Sequence, residues 1–233
     1  MSAQLILPMG MDERPGFDNF IDHPNKNLLA FLKEQLRQRS AGAISSYAGV
    51  LIWGEPSSGK SHLLVALSQW VKQNAGKVVW LEAERSWIPR SGGALNRVYF
   101  LDDVEGFITD ASAERDFLTL IERIKQQNSM LLMTAGQPVN SLGIGLPDLS
   151  SRLQSMECFE LLALSEQDRR QVLRQRASQR GILLSDEVLN WLFTHTGREL
   201  GMLLDLLERM DVQSLSQKRK VTIPLIKSIL EQV

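Results

Sequence analysis

The chain has 233 residues, 43% hydrophobic and 23% charged, with a formal net charge of −1. That length allows one large domain or two unequal ones with ample core, and the near-neutral balance argues against a protein that coats nucleic acid. The single cysteine, Cys158, excludes an internal disulfide, and His23, His62 and His195 lie too far apart in sequence for metal-ligand spacing.

Residues 1–15 mix Gly, Pro, Met and charges without periodicity and read as a flexible tail. They lack a charged-then-apolar secretory pattern, and no apolar run reaches membrane-spanning length, so the expected location is cytoplasmic. Leu28, Leu29, Leu32 and Leu36 then recur at helical spacing and predict a helix over 27–38. A short apolar run over 50–53 predicts the first strand, and helical periodicity returns over 62–71. Further strands are predicted over 77–81, 97–101, 129–134 and 157–162, with a helix over 113–127. Strands that alternate with helices and read as unbroken apolar runs are parallel and covered on both faces.

After Ala163 the character changes. Ser165 and Asp168 resemble a capping box with Asp in the place of Glu, opening a helix that Gly181 stops. Helices are predicted over 186–196, 198–210 and 224–232, and the basic run 218–220 reads as a solvated turn. The expected organisation is therefore a tail over 1–15, an α/β nucleotide-binding domain over 16–163 and a small all-helical domain over 164–233.

Between the first strand and its helix, Gly54-Glu55-Pro56-Ser57-Ser58-Gly59-Lys60-Ser61 fits GxxxxGK[ST] at every fixed position. Glycines let the backbone wrap a phosphate chain with successive N–H groups pointing inward, and the following helix offers its positive end. Lys60 would reach the β- and γ-phosphates, and the Ser61 hydroxyl would hold Mg²⁺. Asp102 and Asp103 are expected to close the third strand, where Asp102 would hold the metal through water and Asp103 could orient an attacking water.

These motifs, with the helical region that follows, resemble the AAA+ superfamily, and within it the bacterial DnaA replication initiator. The resemblance implies a P-loop core with a helical lid and a bound ADP or ATP with Mg²⁺. It places Gly54, Pro56, Ser57, Ser58, Gly59, Lys60, Ser61 and His62 on the nucleotide, and Phe20 and Ile21 in the segment over 20–27 that forms the base pocket. Leu149-Ser150-Ser151-Arg152-Leu153 looks like the segment carrying an arginine finger, which makes Arg152 a residue acting on nucleotide held by a neighbouring subunit. Without the resemblance, Arg152 reads as a surface residue in a loop before a strand. Thr196-Gly197-Arg198-Glu199-Leu200-Gly201 is similar to the sensor 2 motif, where Arg198 would contact the phosphates from the lid.

One position departs from the pattern. Gly136 stands where the initiator carries a polar or acidic sensor 1 residue, and glycine cannot read a phosphate; Thr134 or Gln137 are the candidates to replace it. Weak or no intrinsic hydrolysis is the expectation. The initiator also carries a helical insertion between its second and third strands and a helix-turn-helix domain beyond the lid. Here the connection over 83–96 is short, with Pro89, Gly92 and Gly93, and the sequence ends at Val233 just after the lid-like segment. Direct sequence-specific DNA binding is not expected.

The tail adds a feature: Gln4-Leu5-Ile6-Leu7-Pro8 looks like the QLxLP sliding-clamp-binding peptide, with Gln4, Leu5, Leu7 and Pro8 as its contacts. Burying two leucines gives about 3–6 kcal/mol gross, and ordering five residues at about 1–2 kcal/mol each offsets a similar amount. A weak single contact is expected, strengthened where a ring presents two pockets to a homodimer. Together the resemblances imply a DnaA-related negative regulator of replication initiation, ADP-bound and clamp-tethered, that promotes ATP hydrolysis on DnaA through Arg152. The alternative is an ATP-dependent helicase loader or remodeller with its own ATPase. A small-molecule kinase needs an acceptor pocket and a basic lid that the sequence does not offer.

Overall fold

A computed structural model describes residues 20, 23–43, 46–82, 97–196, 200–217 and 222–230. Two compact units divide the chain after Ala163. In the first, the elements run α1 (Lys26–Ser40), β1 (Ala48–Trp53), α2 (Lys60–Gln73), β2 (Lys77–Leu81), β3 (Arg97–Leu101), α3 (Ala111–Gln126), β4 (Met130–Ala135), α4 (Pro147–Gln154) and β5 (Glu157–Glu160). The strands form a parallel sheet ordered β2-β3-β4-β1-β5.

Period-two alternation divides the central strands between two cores. Leu51, Tyr99, Leu101, Leu131 and Met133 face one side, where Phe117 and Ile121 of α3 and Leu149 and Leu153 of α4 cover them. Val50, Ile52, Val98, Phe100, Met130 and Leu132 face the other, under Leu32 and Leu36 of α1 and Leu63, Leu64 and Leu67 of α2. With both faces covered, every residue of β4 is buried, which is why the run read as continuously apolar. Each such side chain contributes about 1.5–3 kcal/mol on burial.

Asn25, just before α1, closes a long-range link. Its Nδ2 donates to the Leu162 carbonyl and its Oδ1 accepts from the Leu162 amide, both at 2.9 Å. The entry to α1 is thereby tied to the chain leaving β5.

The second unit contains α5 (Glu166–Gln179), α6 (Asp186–His195), α7 (Leu200–Gln217) and α8 (Ile223–Leu230). The predicted capping box is present: the Asp168 amide donates to Ser165 Oγ, and the Ser165 amide donates to Asp168 Oδ2. Leu173, Leu189, Leu192, Phe193, Leu203, Leu207, Ile226 and Ile229 form its core. Helix α7 extends seven residues beyond the predicted 210, since no Gly or Pro interrupts 202–217. No helix among the described residues is long and apolar enough to cross a membrane.

Candidate functional site

Parallel strands bring their carboxyl ends to one edge of a sheet. Because β1, β4 and β3 are neighbours, the loop after β1 lies beside the ends of β4 and β3. The register fixes the depth: Trp53 pairs with Ala135, and Leu101 with Met133.

The phosphate-loop motif occupies the turn after β1. Gly54 continues the sheet, its amide donating to the Ala135 carbonyl at 3.2 Å. A Cβ there would lie 2.7 Å from the Leu161 carbonyl oxygen, so the position requires glycine. Ser57 (φ 60°) and Gly59 (φ 99°) take left-handed backbone, which folds the loop back onto the start of α2. Gly59 is the N-cap residue of α2, and no side chain caps this end and no acid sits in the first turn. The first-turn amides and the positive end of the helix dipole are therefore available to an anion.

Lys60 Nζ donates across the loop mouth to the carbonyls of Gly54 (2.7 Å) and Glu55 (2.9 Å). Pro56 and Ser57 are exposed at the rim, and Ser61 is exposed in the first turn of α2. Ser58 is buried, and its hydroxyl has no hydrogen-bond partner within the protein. A buried orphan hydroxyl, a lysine poised over backbone carbonyls and uncapped amides together fit a phosphate chain. Phe20 borders the loop: its ring centroid is 5.4 Å from that of His62, and a Cβ on Gly59 would lie 3.8 Å from it. Ile21, the other residue assigned to the base pocket, lies outside the described residues.

As expected, Asp102 and Asp103 follow directly on Leu101, the last residue of β3, where the strand ends. The reason is Asp103's left-handed backbone (φ 64°), which turns the chain out of the sheet into a 3₁₀ turn at Val104–Phe107. Such a conformation at a non-glycine residue costs on the order of 1–3 kcal/mol. Thr134 of β4, 1% exposed, holds the pair in place. Its hydroxyl donates to Asp102 Oδ1 at 2.5 Å and accepts from the Asp103 amide at 2.9 Å. Asp102, whose Oδ1 is engaged by Thr134, and Ser61 are the residues here that could hold Mg²⁺.

Two residues here were not anticipated. Glu105 Oε1 accepts from the Gly136 amide at 2.7 Å, so a carboxylate stands beside the position that has no side chain. Burial, with the Asp103 carboxyl close by, pushes the Glu105 carboxyl above the usual range. Between the two candidates for the sensor position, Thr134 touches both aspartates' groups, whereas Gln137 is exposed. The second unanticipated residue is Glu114 of α3, 6% exposed. Its carboxylate accepts from the amides of Gly145 (2.9 Å) and Leu146 (2.6 Å) and anchors the entry to α4. Hydrogen bonds to a charged group contribute about 1.5–3 kcal/mol. Glu114→Ala is expected to cost about 2–3 kcal/mol by urea denaturation, with faster hydrogen exchange at Gly145 and Leu146.

Arg152 sits in the last turn of α4, not in a loop. Pro147 at the helix start and the i, i+4 pair Leu149 and Leu153, both buried, were the available signals. Its Nη2 pairs with Glu122 Oε1 of α3 at 2.5 Å. Leu118, Glu122, Asp148, Ser151, Arg152 and Ser155 line an open cleft of about 400 Å³. Arg198 and the tail residues Gln4, Leu5, Leu7 and Pro8 lie outside the described residues, as does the connection over 83–96.

A parallel sheet in this order, a phosphate loop after β1 and an acidic pair after β3, two strands away across β4, define a P-loop NTPase core. The family model for "Novel STAND NTPase 3" matches residues 31–179, and that for "Hda, lid domain" matches 166–230. The first covers more than half of the chain, so the chain belongs to the NTPase family that it describes; the helical unit is similar to the lid domain of Hda. Among solved structures, domain III of the Thermotoga maritima replication initiation protein DnaA superposes with a TM-score of 0.79 at 18% identity, covering 95% of this chain and 98% of that one. AMPPCP-bound DnaA from Aquifex aeolicus gives 0.67 at 19% identity, covering 89% and 69%. The Thermotoga maritima RuvB Holliday junction branch migration motor gives 0.67 at 15%, covering 93% and 71%. The fold is thus that of AAA+ proteins.

Proposed function

We propose that this DnaA-related protein restrains replication initiation by promoting hydrolysis of ATP held by the DnaA initiator. The observation that carries the reading is the pairing of an Hda-type lid with Arg152 on an open cleft at the end of α4. A guanidinium there can be offered to phosphate oxygens on a neighbouring subunit.

The protein's own site has a different task. Lys60 and the first-turn amides of α2 would hold the phosphates of ADP or ATP, with Pro56, Ser57, Ser58 and Gly59 shaping the cradle and Phe20, Ile21 and His62 beside the base or sugar. The AMPPCP in the Aquifex aeolicus relative supports a nucleotide in this place. Ser61 and Asp102 would hold Mg²⁺, whose charge offsets that of the phosphates when bound. Arg198 would report the phosphates to the lid. Asp103 is held by its backbone to Thr134, and its neighbour Glu105 is engaged with Gly136. With no side chain at Gly136 to meet a γ-phosphate, intrinsic turnover is weak and the diphosphate persists. The hydrolysis that matters takes place on the partner, in the cytoplasm, with the domains dividing at 163.

Residues 4–8 would tether the protein to the sliding clamp, and paired tails on a homodimer would engage two pockets of the ring. Replacing Gln4, Leu5 and Leu7 by alanine is expected to abolish co-elution with the clamp while the thermal unfolding midpoint stays unchanged. Persistent clamp binding rejects the tail as the tether. The second reading, a helicase loader with its own ATPase, draws support from the complete phosphate loop and the Asp102–Asp103 pair. DNA-stimulated ATP hydrolysis by this protein alone would favour it.

A further inference from the structure

We infer that Glu122 is a positioning residue for Arg152, holding its guanidinium at rest and competing for it with the phosphate oxygens of a partner-bound nucleotide. The inference rests on reading Arg152 as a finger that acts in trans.

The pair spans two helices. Glu122 comes from α3 and Arg152 from the last turn of α4, with the contact at 2.5 Å. Both side chains are about one-third exposed, 32% for Arg152 and 37% for Glu122. The contact is thus neither sealed in the core nor a loose surface pair, and it opens directly onto the 400 Å³ cleft. The guanidinium is not fully satisfied in this position: Arg152 Nε is buried without a hydrogen-bond partner. A fork with five donors that leaves a buried one uncompensated gains by moving to an acceptor that engages more of them, as phosphate oxygens do. Tyr47 borders the same place. Its hydroxyl is buried without a partner, and burial pushes the phenol up, with the Arg152 charge acting against that shift and the Glu122 charge adding to it. The environment that holds Arg152 is therefore a compromise: a close ion pair in which Glu122 Oε1 accepts no well-aligned hydrogen bond, with unpaired polar atoms around it.

Glu122 is reached by helical geometry. Leu118 and Glu122 are one turn apart on α3, and Asp148 and Arg152 one turn apart on α4, so all four line the cleft. For Arg152 to engage a nucleotide on another subunit, its contact with Glu122 has to break, and that cost is subtracted from docking. Once docked, Glu122 no longer touches the finger and has no part in the chemistry.

The test is Glu122→Gln, which keeps size and removes charge. The protein is titrated into ATP-bound DnaA with DNA-loaded clamp. A partly exposed ion pair is a modest competitor, so the concentration for half-maximal stimulation is expected to fall roughly twofold to fivefold. Turnover at saturation is expected to stay unchanged, and the difference to shrink at high salt. A half-maximal concentration that is unchanged or higher, or a reduced saturating turnover, overturns the inference; the higher value would make Glu122 a partner contact. A second readout uses this protein alone: phenylglyoxal should modify Arg152 faster in Glu122→Gln, measured by peptide mapping, and equal rates also overturn it. Arg152→Ala in the same titration separates the two layers. If that variant still stimulates, the finger reading fails, while the phenylglyoxal rates still judge the resting contact.

Discussion

Arg152→Ala is expected to leave folding, nucleotide affinity and clamp binding intact and to abolish stimulation of DnaA-bound ATP hydrolysis. An arginine supplied in trans is worth roughly 10³–10⁵ in rate, or about 4–7 kcal/mol of barrier. The effect on this protein's own stability is small by comparison, because its ion pair with Glu122 is partly exposed and worth about 0.2–1 kcal/mol. The two quantities separate cleanly: single-turnover hydrolysis on DnaA should drop to the unstimulated rate, while urea denaturation shifts by less than about 1 kcal/mol. Retained stimulation would reject the assignment. Arg152→Lys should recover little, since an ammonium cannot reproduce the planar fork that meets two phosphate oxygens.

The second large effect concerns the protein's own site. Lys60 Nζ is held over the loop by the Gly54 and Glu55 carbonyls, which are the partners it would exchange for phosphate oxygens. Two charge-assisted contacts at about 1.5–3 kcal/mol each correspond to two to four orders of magnitude in affinity. Lys60→Ala is expected to weaken ADP binding by about that factor in isothermal titration, with the far-ultraviolet circular dichroism spectrum unchanged. Affinity within threefold of the parent chain would mean that the loop does not cradle phosphates. If this nucleotide sets the conformation of the regulator, as the proposed function has it, the same variant is expected to stimulate DnaA poorly even though Arg152 is intact.

The parts of this architecture that were legible in the sequence are those written in local pattern. The β4 run is apolar from Met130 to Met133 because both faces of the sheet are covered, and the Gly54–Ser61 motif announces itself by spacing. The Ser165 capping box likewise lies within four residues. What escaped is long-range. Thr134 could be placed beside Asp102 only through the β3–β4 register, 32 residues apart in sequence. Glu114 reaches Gly145 across 31 residues, and Asn25 meets Leu162 across 137. No periodicity records such contacts. Helix α4 escaped for a different reason: at eight residues, with two buried leucines, it is too short to impose a period on its surroundings. The end of β3 at Leu101 was legible as well, but not its cause: the left-handed backbone of Asp103 turns the chain into the 3₁₀ turn at Val104–Phe107.

That edge and the α4 cleft divide the work in this account. On the proposed function, the phosphate loop with Thr134, Asp102 and Asp103 would hold the protein's own nucleotide and change it little, whereas Arg152 would act outward on another subunit. The measurement that tests this most directly is ATP turnover by DnaA, with and without this protein and DNA-loaded clamp. The account predicts stimulation that requires both additions and disappears with Arg152→Ala. No stimulation of DnaA, together with DNA-dependent ATP hydrolysis by this protein alone, would contradict it.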